Sequence, residues 1–227
     1  MPDDHRARAA GLALGYLLDV MVGDPRRGHP VAGFGRLAQW LEHRWYADAR
    51  PAGTAYVVVL VGAAAATGAG LDRAARTRPG LIVLVTAAAT WTALGARTLL
   101  AEAAGVHAPL AAGKLDRARD RVTHLVGRDP TTLGADGLAR ATVESVAENT
   151  SDAVVAPLLW GAVAGPAGLL GYRALNTLDA MVGHRTPRHA RFGWCAARLD
   201  DLANLLPARA TALAVAAAGP FVTGDRA

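Results

Sequence analysis

"AVVAPLLWGAVAGPAGLLG", residues 153–171, carries no charge and, at 19 residues, is long enough to cross the hydrocarbon of a bilayer. Its reading decides the fold. Pro157, Gly161, Gly165, Pro166, Gly168 and Gly171 interrupt it, and each weakens a continuous helix by removing an amide donor or adding backbone freedom. Irregular backbone at membrane depth is tolerated where protein buries it, so the stretch is expected to form a re-entrant or broken helical hairpin. A single span would put its flanks on opposite sides of the membrane; a hairpin puts both on one.

The rest of the chain supplies the membrane context. Of 227 residues 52% are apolar and only 5% aromatic, and the apolar ones collect in nearly uncharged blocks at 54–71, 81–96 and 207–223, with a shorter one at 9–22. "TAYVVVLVGAAAATGAGL" (54–71) lacks the polar face of a soluble amphipathic helix, so the blocks read as membrane helices of an all-α, polytopic single domain covering residues 1–227. The first block follows Asp3 and Asp4, contains Asp19 and precedes no A-x-A site, which reads as an uncleaved first helix.

Basic residues discriminate between the two topologies. If every block crosses once, about ten Lys and Arg face roughly twelve, and no orientation emerges. If residues 153–171 enter and return, segments 23–53, 102–152 and 172–206 share a side with roughly sixteen against about six, which places them in the cytoplasm of a cell-membrane protein. The net charge of +5 comes from 23 Arg and Lys114 spread through the connections, without an aromatic platform, which argues for membrane orientation and against nucleic acid. Cys195, the sole cysteine, reads as a packing residue beside Trp194.

Polar clusters fill the crowded side. "GDPRRGHPV" (23–31) has turn chemistry around Asp24, and "GKLDRARDRVTHLVGRDP" (113–130) reads as an amphipathic helix stopping near Gly127, with Arg128 at its end. "ESVAENTSD" (144–152) sets Glu144, Glu148 and Asp152 four residues apart, within about 80° on a helix. Beyond the apolar block, Arg173, Asn176 and Asp179 share a helix face, which Gly183 ends. Arg198, Asp201 and Asn204 repeat the pattern, with Asp200 four residues from Asn204. A structural network would pair Arg173 with Asp179 and Arg198 with Asp201 and leave the Asn side chains to cap helix ends. Glu144, Glu148, Asp152, Asp200 and Asp201 outnumber the basic partners on their own helices, and such oxygen ligands suit Mg²⁺ bridging carboxylates to phosphate. Arg128, His184, Arg185 and Arg188 are then candidates to clamp phosphate oxygens. No P-loop, G-x-G-x-x-G, G-x-S-x-G or H-E-x-x-H string occurs, and His184 with His189 makes a poor transition-metal pair.

At "GDPRRGHPV", "LVGRDP", "RATVESVAENTSD", "NTLDAMVGHR" and "FGWCAARLDDLANLLPAR" the chain closely resembles the adenosylcobinamide-phosphate synthase (CobD/CbiB) family of cobalamin biosynthesis, over about residues 23–211. The resemblance implies a polytopic membrane enzyme that uses ATP and Mg²⁺ to join the free propionate of adenosylcobyric acid to (R)-1-amino-2-propanol or its O-phosphate. ATP would convert the carboxylate to an acyl phosphate that the amine displaces. Glu144, Glu148, Asp152, Asp200 and Asp201 are then expected at the metal, with one of Glu148, Asp152 and Asp201 taking the amine proton. Asp24, Arg128, Asn149, Asn176, Asp179, His184, Arg185, Arg198 and Asn204 are expected to hold substrate. The implied partners are the corrinoid and amino-alcohol substrates, membrane lipid and other cobalamin-biosynthesis proteins. Ala153 stands where the family usually has Gly and Arg173 where it usually has Lys, and family members continue beyond "PARATALAV". Two other readings compete: an intramembrane prenyltransferase binding diphosphate through Mg²⁺, and a non-catalytic corrinoid-binding subunit.

Overall fold

The computed structural model describes residues 2–25, 28–127 and 129–222, and among these it is helical throughout, without strands. The helices are α1 (Pro2–Val22), α2 (Pro30–Trp45), α3 (Arg50–Ala75), α4 (Pro79–Ala93), α5 (Ala96–Ala111), α6 (Leu115–Val122), α7 (Ala135–Thr150), α8 (Ala156–Leu178), α9 (His189–Phe192) and α10 (Trp194–Val222). Two π-helical segments, Ser151–Val155 and Asp179–Gly183, flank α8. Among the described residues four helical stretches are long and apolar enough to cross a membrane: Arg50–Ala75, Pro79–Ala111, Ala135–Gly183 and Trp194–Gly219. The protein is an all-α polytopic membrane protein.

The third of those stretches does not cross once. Gly165 adopts φ 60°, ψ −146°, a conformation essentially confined to glycine, and the following Pro166 cannot continue the preceding hydrogen-bond ladder. The chain doubles back there: Gly168 lies so close to the Trp160 carbonyl that a Cβ on it would collide, and a Cβ on Gly161 would lie 2.9 Å from the Leu169 side chain. In a continuous helix residues eight apart are about 12 Å apart along the axis. Residues 153–171 therefore form the broken hairpin that their glycines and prolines led us to expect, with the turn at Gly165–Pro166.

Neighbouring helices bury the hairpin. Its returning limb runs antiparallel to α3, Pro166 lying against Gly68 and Gly171 against Ala65, and Leu175 and Leu178 continue into a core with Tyr56, Val57 and Leu60. Cys195 packs in that core, as expected. α1 runs parallel to α4. A Cβ at Gly11 would lie 2.6 Å from Thr86 Cβ and one at Gly15 2.5 Å from Thr90 Cβ, so the Gly-x-x-x-Gly pair lets the two backbones approach as closely as small residues allow in membranes. At its end Asp19 accepts from the Ala96 amide at 2.9 Å, an interhelical cap for the start of α5 where the chain breaks at Gly95. α5, α6 and α7 pack on one another around Val106, Ala118, Val122 and Leu138. α6 stops at Val122, before the Gly127 expected from sequence, because Thr123 turns its hydroxyl back onto the Asp120 carbonyl at 2.6 Å.

The hairpin tip rests against a buried ion pair. Arg8 donates from Nη2 to Asp72 Oδ2 at 2.7 Å and from Nε to Oδ1 at 3.3 Å, and a Cβ at Gly165 would be 3.5 Å from that Nε. Asp72 is 7% exposed, so removing Arg8 leaves a buried carboxylate with only Arg76 at 3.5 Å. Arg8→Met is expected to destabilise the detergent-solubilised protein by about 3 kcal/mol, against less than about 0.5 kcal/mol for Arg6→Met. Chemical denaturation of the two variants checks this.

Candidate active site at the feet of the hairpin

The two π segments are the feet of the hairpin, and each begins one residue from or on a carboxylate: Asp152 in the first, Asp179 in the second. One extra residue per turn widens the helix and re-aims the side chains on it, which is why such bulges recur at functional sites. Before the first foot the backbone is bound by its own side chains. Asn149 donates to the Ser145 carbonyl at 2.9 Å and to its hydroxyl oxygen at 3.2 Å, Thr150 donates to the Val146 carbonyl at 2.7 Å, and Ser145 donates to the Leu125 carbonyl at 2.6 Å.

α10 brings the opposing wall. Asp152 and Asp200 lie within each other's field and both face Asn176 and Asp179. Asp200 is nearly buried; its Oδ2 accepts from Asn204 Nδ2 at 2.9 Å, and Asn204 Oδ1 accepts from the Tyr172 hydroxyl at 2.8 Å. That chain fixes the carboxylate's orientation. Among the described residues its other oxygen, Oδ1, and the buried Ser151 hydroxyl have no hydrogen-bond partner.

Both walls open on a groove of about 720 Å³ whose polar end is lined by Glu148, Ser151, Asp152, Asp200, Asp201 and Asn204. Its far end is apolar, with Leu205, Ala212 and Val215 of α10. A smaller polar pocket of about 320 Å³ adjoins it, lined by Asp179, Arg185, His189, Trp194, Arg198 and Asp201. Asp201 lines both, and Arg198 lies 3.6 Å from it, as the sequence led us to expect.

Other expected site residues fall elsewhere. Glu144 is half-exposed outside the groove lining, with Arg140 Nε donating to it at 2.8 Å. The five-acid face therefore divides, with Glu148, Asp152, Asp200 and Asp201 on the groove. His184 is exposed in the loop after the second foot, within the field of Asp179. Arg188 is engaged away from the groove: it donates to Glu42 at 3.2 Å and lies 4.1 Å over the Tyr46 ring. Arg128 lies outside the described residues. Its neighbour Asp129 accepts from the Thr131 amide at 2.9 Å, which holds its carboxyl below the usual range. Asp24 accepts from Thr98 at 2.7 Å and lies 3.2 Å from His29 Nε2. Since His29 Nδ1 accepts from the Val31 amide, Nε2 carries the proton toward Asp24.

Two expectations are corrected. Among the described residues Arg173 forms no ion pair with Asp179; it lies within the field of Asp24, Asp152 and Asp19, and its buried Nε has no hydrogen-bond partner. Asn149, Asn176 and Asn204 do not cap helix ends but lie within helices, where Asn149 and Asn204 bind a turn or a carboxylate. Tyr172 and Ser151 join the site without having been singled out from sequence, because both depend on contacts between helices that no spacing reveals.

Among the described residues no group of three His, Cys, Asp or Glu side chains is arranged to enclose an ion. Mg²⁺ does not need one, because it keeps waters and takes one or two carboxylates beside substrate phosphates. Asp152 and Asp200 are of the right chemistry for that role, and among the described residues the buried Asp200 Oδ1 has no hydrogen-bond partner.

A helical membrane protein that carries a carboxylate-lined groove at the feet of a buried re-entrant hairpin is thus defined by its fold and site. The family model described as CobD/Cbib protein matches residues 12–226, and the chain belongs to that family. It is 52% identical over 221 residues to cobalamin biosynthesis protein CobD of Mycobacterium tuberculosis, covering 97% of this chain and 70% of the relative. The namesake proteins of Chromobacterium violaceum and Rhodobacter capsulatus are 44% and 43% identical, over 95% and 93% of this chain and 70% of each relative. No solved structure matches.

Proposed function

We propose that the chain is an adenosylcobinamide-phosphate synthase of the cell membrane. It joins adenosylcobyric acid to (R)-1-amino-2-propanol or its O-phosphate in an ATP- and Mg²⁺-dependent amide ligation, with its polar motifs facing the cytoplasm. The observation that carries this reading is the half-buried Asp152 and the buried Asp200, whose Oδ1 has no partner among the described residues, lining the polar end of an amphipathic groove. Membership of a family whose named relatives serve cobalamin biosynthesis supplies the substrate class.

ATP with Mg²⁺ supplies the phosphoryl group that makes a carboxylate reactive and the positive charge that offsets its transfer. The protein's part is positional. Asp152 and Asp200 would hold the metal, and Asn176, which faces both, would orient the two carboxylates. Arg185 and Arg198 in the smaller pocket bring cationic donors to the amino-alcohol side. Asp201, on the wall shared by the groove and the pocket, would serve as the general base that takes the amine proton. The apolar stretch of α10 along the groove gives the methyl-bearing edge of a corrin a surface that excludes water.

Purified protein in detergent with adenosylcobyric acid, amino alcohol or its phosphate, Mg²⁺ and ATP is expected to yield the amide by mass spectrometry. Glu148→Gln should reduce it. Corrinoid binding without product in every combination would replace this reading with that of a corrinoid-binding subunit, and product from an isoprenyl diphosphate would replace it with a prenyltransferase.

A further inference from the structure

We infer that the outer face of α2 and the adjoining Arg50–Trp194 pair form a docking surface for anionic phospholipid headgroups of the leaflet on the active-site side. α2 is 16 residues long, too short to be among the candidate spans, and it presents large apolar and cationic groups outward. Leu37, Trp40 and Trp45 are 52%, 54% and 42% exposed. At 100° per residue Leu37, Trp40 and Arg44 fall within about 60° of one another, and Arg36 flanks them. Among the described residues no other helix covers this row, and Ala38, Leu41 and Glu42 occupy the helix's inner face.

The cations identify the occupant. Arg44 lies 5.1 Å over the Trp40 ring, and Arg50, at the start of the first long span, lies 5.0 Å over Trp194, itself 40% exposed. Among the described residues neither they nor Arg36 form an ion pair with a carboxylate. An aromatic ring capped by an unpaired guanidinium is apolar in one half and cationic in the other. That matches the boundary between acyl chains and acidic headgroups, where Trp and Arg collect. α3 carries the exposed apolar side chains Val58 and Val59 a little over two turns beyond Arg50. A second protein would need complementary acids arranged along this row; a bilayer containing acidic lipid presents them as a plane.

The surface bears on the site through Glu42. On the inner face of the same helix it accepts from Arg188 at 3.2 Å and lies 3.1 Å from His189 Nε2, so α2 holds the loop that lines the smaller pocket. Headgroups that hold α2 therefore hold that loop.

The test uses the full chain in nanodiscs and tryptophan quenching by brominated lipid. Brominated phosphatidylglycerol should quench more strongly than brominated phosphatidylcholine at the same mole fraction. In the Arg36→Gln/Arg44→Gln/Arg50→Gln variant that preference should fall, by about fivefold in relative association constant per arginine removed. All three side chains are exposed, and the Arg6→Gln/Arg73→Gln/Arg78→Gln variant, exposed at the other end of the spans, controls for net charge and should leave the preference intact. Equal quenching by the two lipids, or a preference that survives the triple variant, overturns the proposal. So does disulfide dimerisation of Leu37→Cys together with loss of quenching, which would assign the face to a second copy.

Discussion

Asp200→Asn is expected to slow amide formation by about two orders of magnitude, the scale of losing one preorganised electrostatic contact at a transferring group. The substitution removes a charge and keeps the shape. Asn204 can still donate to the new carboxamide oxygen, so the chain from Tyr172 through Asn204 that orients residue 200 persists and the fold has little to lose. What disappears is the negative charge of a carboxylate whose buried Oδ1 has no hydrogen-bond partner among the described residues. The effect should therefore fall on kcat and on the Mg²⁺ concentration needed, with little change in corrinoid binding, as single-turnover kinetics over a Mg²⁺ series would show. A wild-type rate in this variant would remove Asp200 from the site.

Gly168→Leu is expected to cost more than about 3 kcal/mol and to prevent accumulation of folded protein, because the clash is with backbone rather than with a movable side chain. A Cβ there meets the Trp160 carbonyl of the outgoing limb and lies 3.0 Å from Ala164 Cβ, so the limbs cannot close around the Gly165–Pro166 turn. Gly70→Leu makes the contrast, since that glycine, in α3, has open space where its Cβ would be and should stay within about 0.5 kcal/mol of the parent. Size-exclusion profiles and thermal unfolding of the pair check the difference. The result matters for the site as well as the fold: without the closed hairpin, Asp152 and Asp179 no longer stand side by side.

The hairpin was legible because it rests on local chemistry. Six glycines and prolines within 19 residues interrupt any single span, and the arginine distribution independently required an even number of crossings there. The helix faces around Asn176 and Asp201 were legible for the same reason, as periodicities along one strand of sequence. The π segments were not. A π turn has no residue signature of its own, yet it moves every later side chain round the axis, so the arc holding Glu144, Glu148 and Asp152 on a regular helix does not persist through Ser151. Glu144 ends beside Arg140, and Asp152 faces α10 instead. Arg173 shows the other limit. Its own helix offers Asp179 as a partner, but Asp24 and Asp152, brought alongside by the loop after α1 and by the outgoing limb, are the acids it meets. Partner choice between helices is set by packing, which a single sequence does not display.

Everything proposed for the groove depends on both feet of the hairpin facing the same compartment. Single cysteines placed by Arg140→Cys, Arg185→Cys and Arg78→Cys in a Cys195→Ala background, probed with a membrane-impermeant maleimide in oriented vesicles, test this directly. The account predicts that positions 140 and 185 react from one face and position 78 only from the other. Labelling of 140 and 185 from opposite faces would mean that residues 153–171 cross the membrane once, and would contradict it.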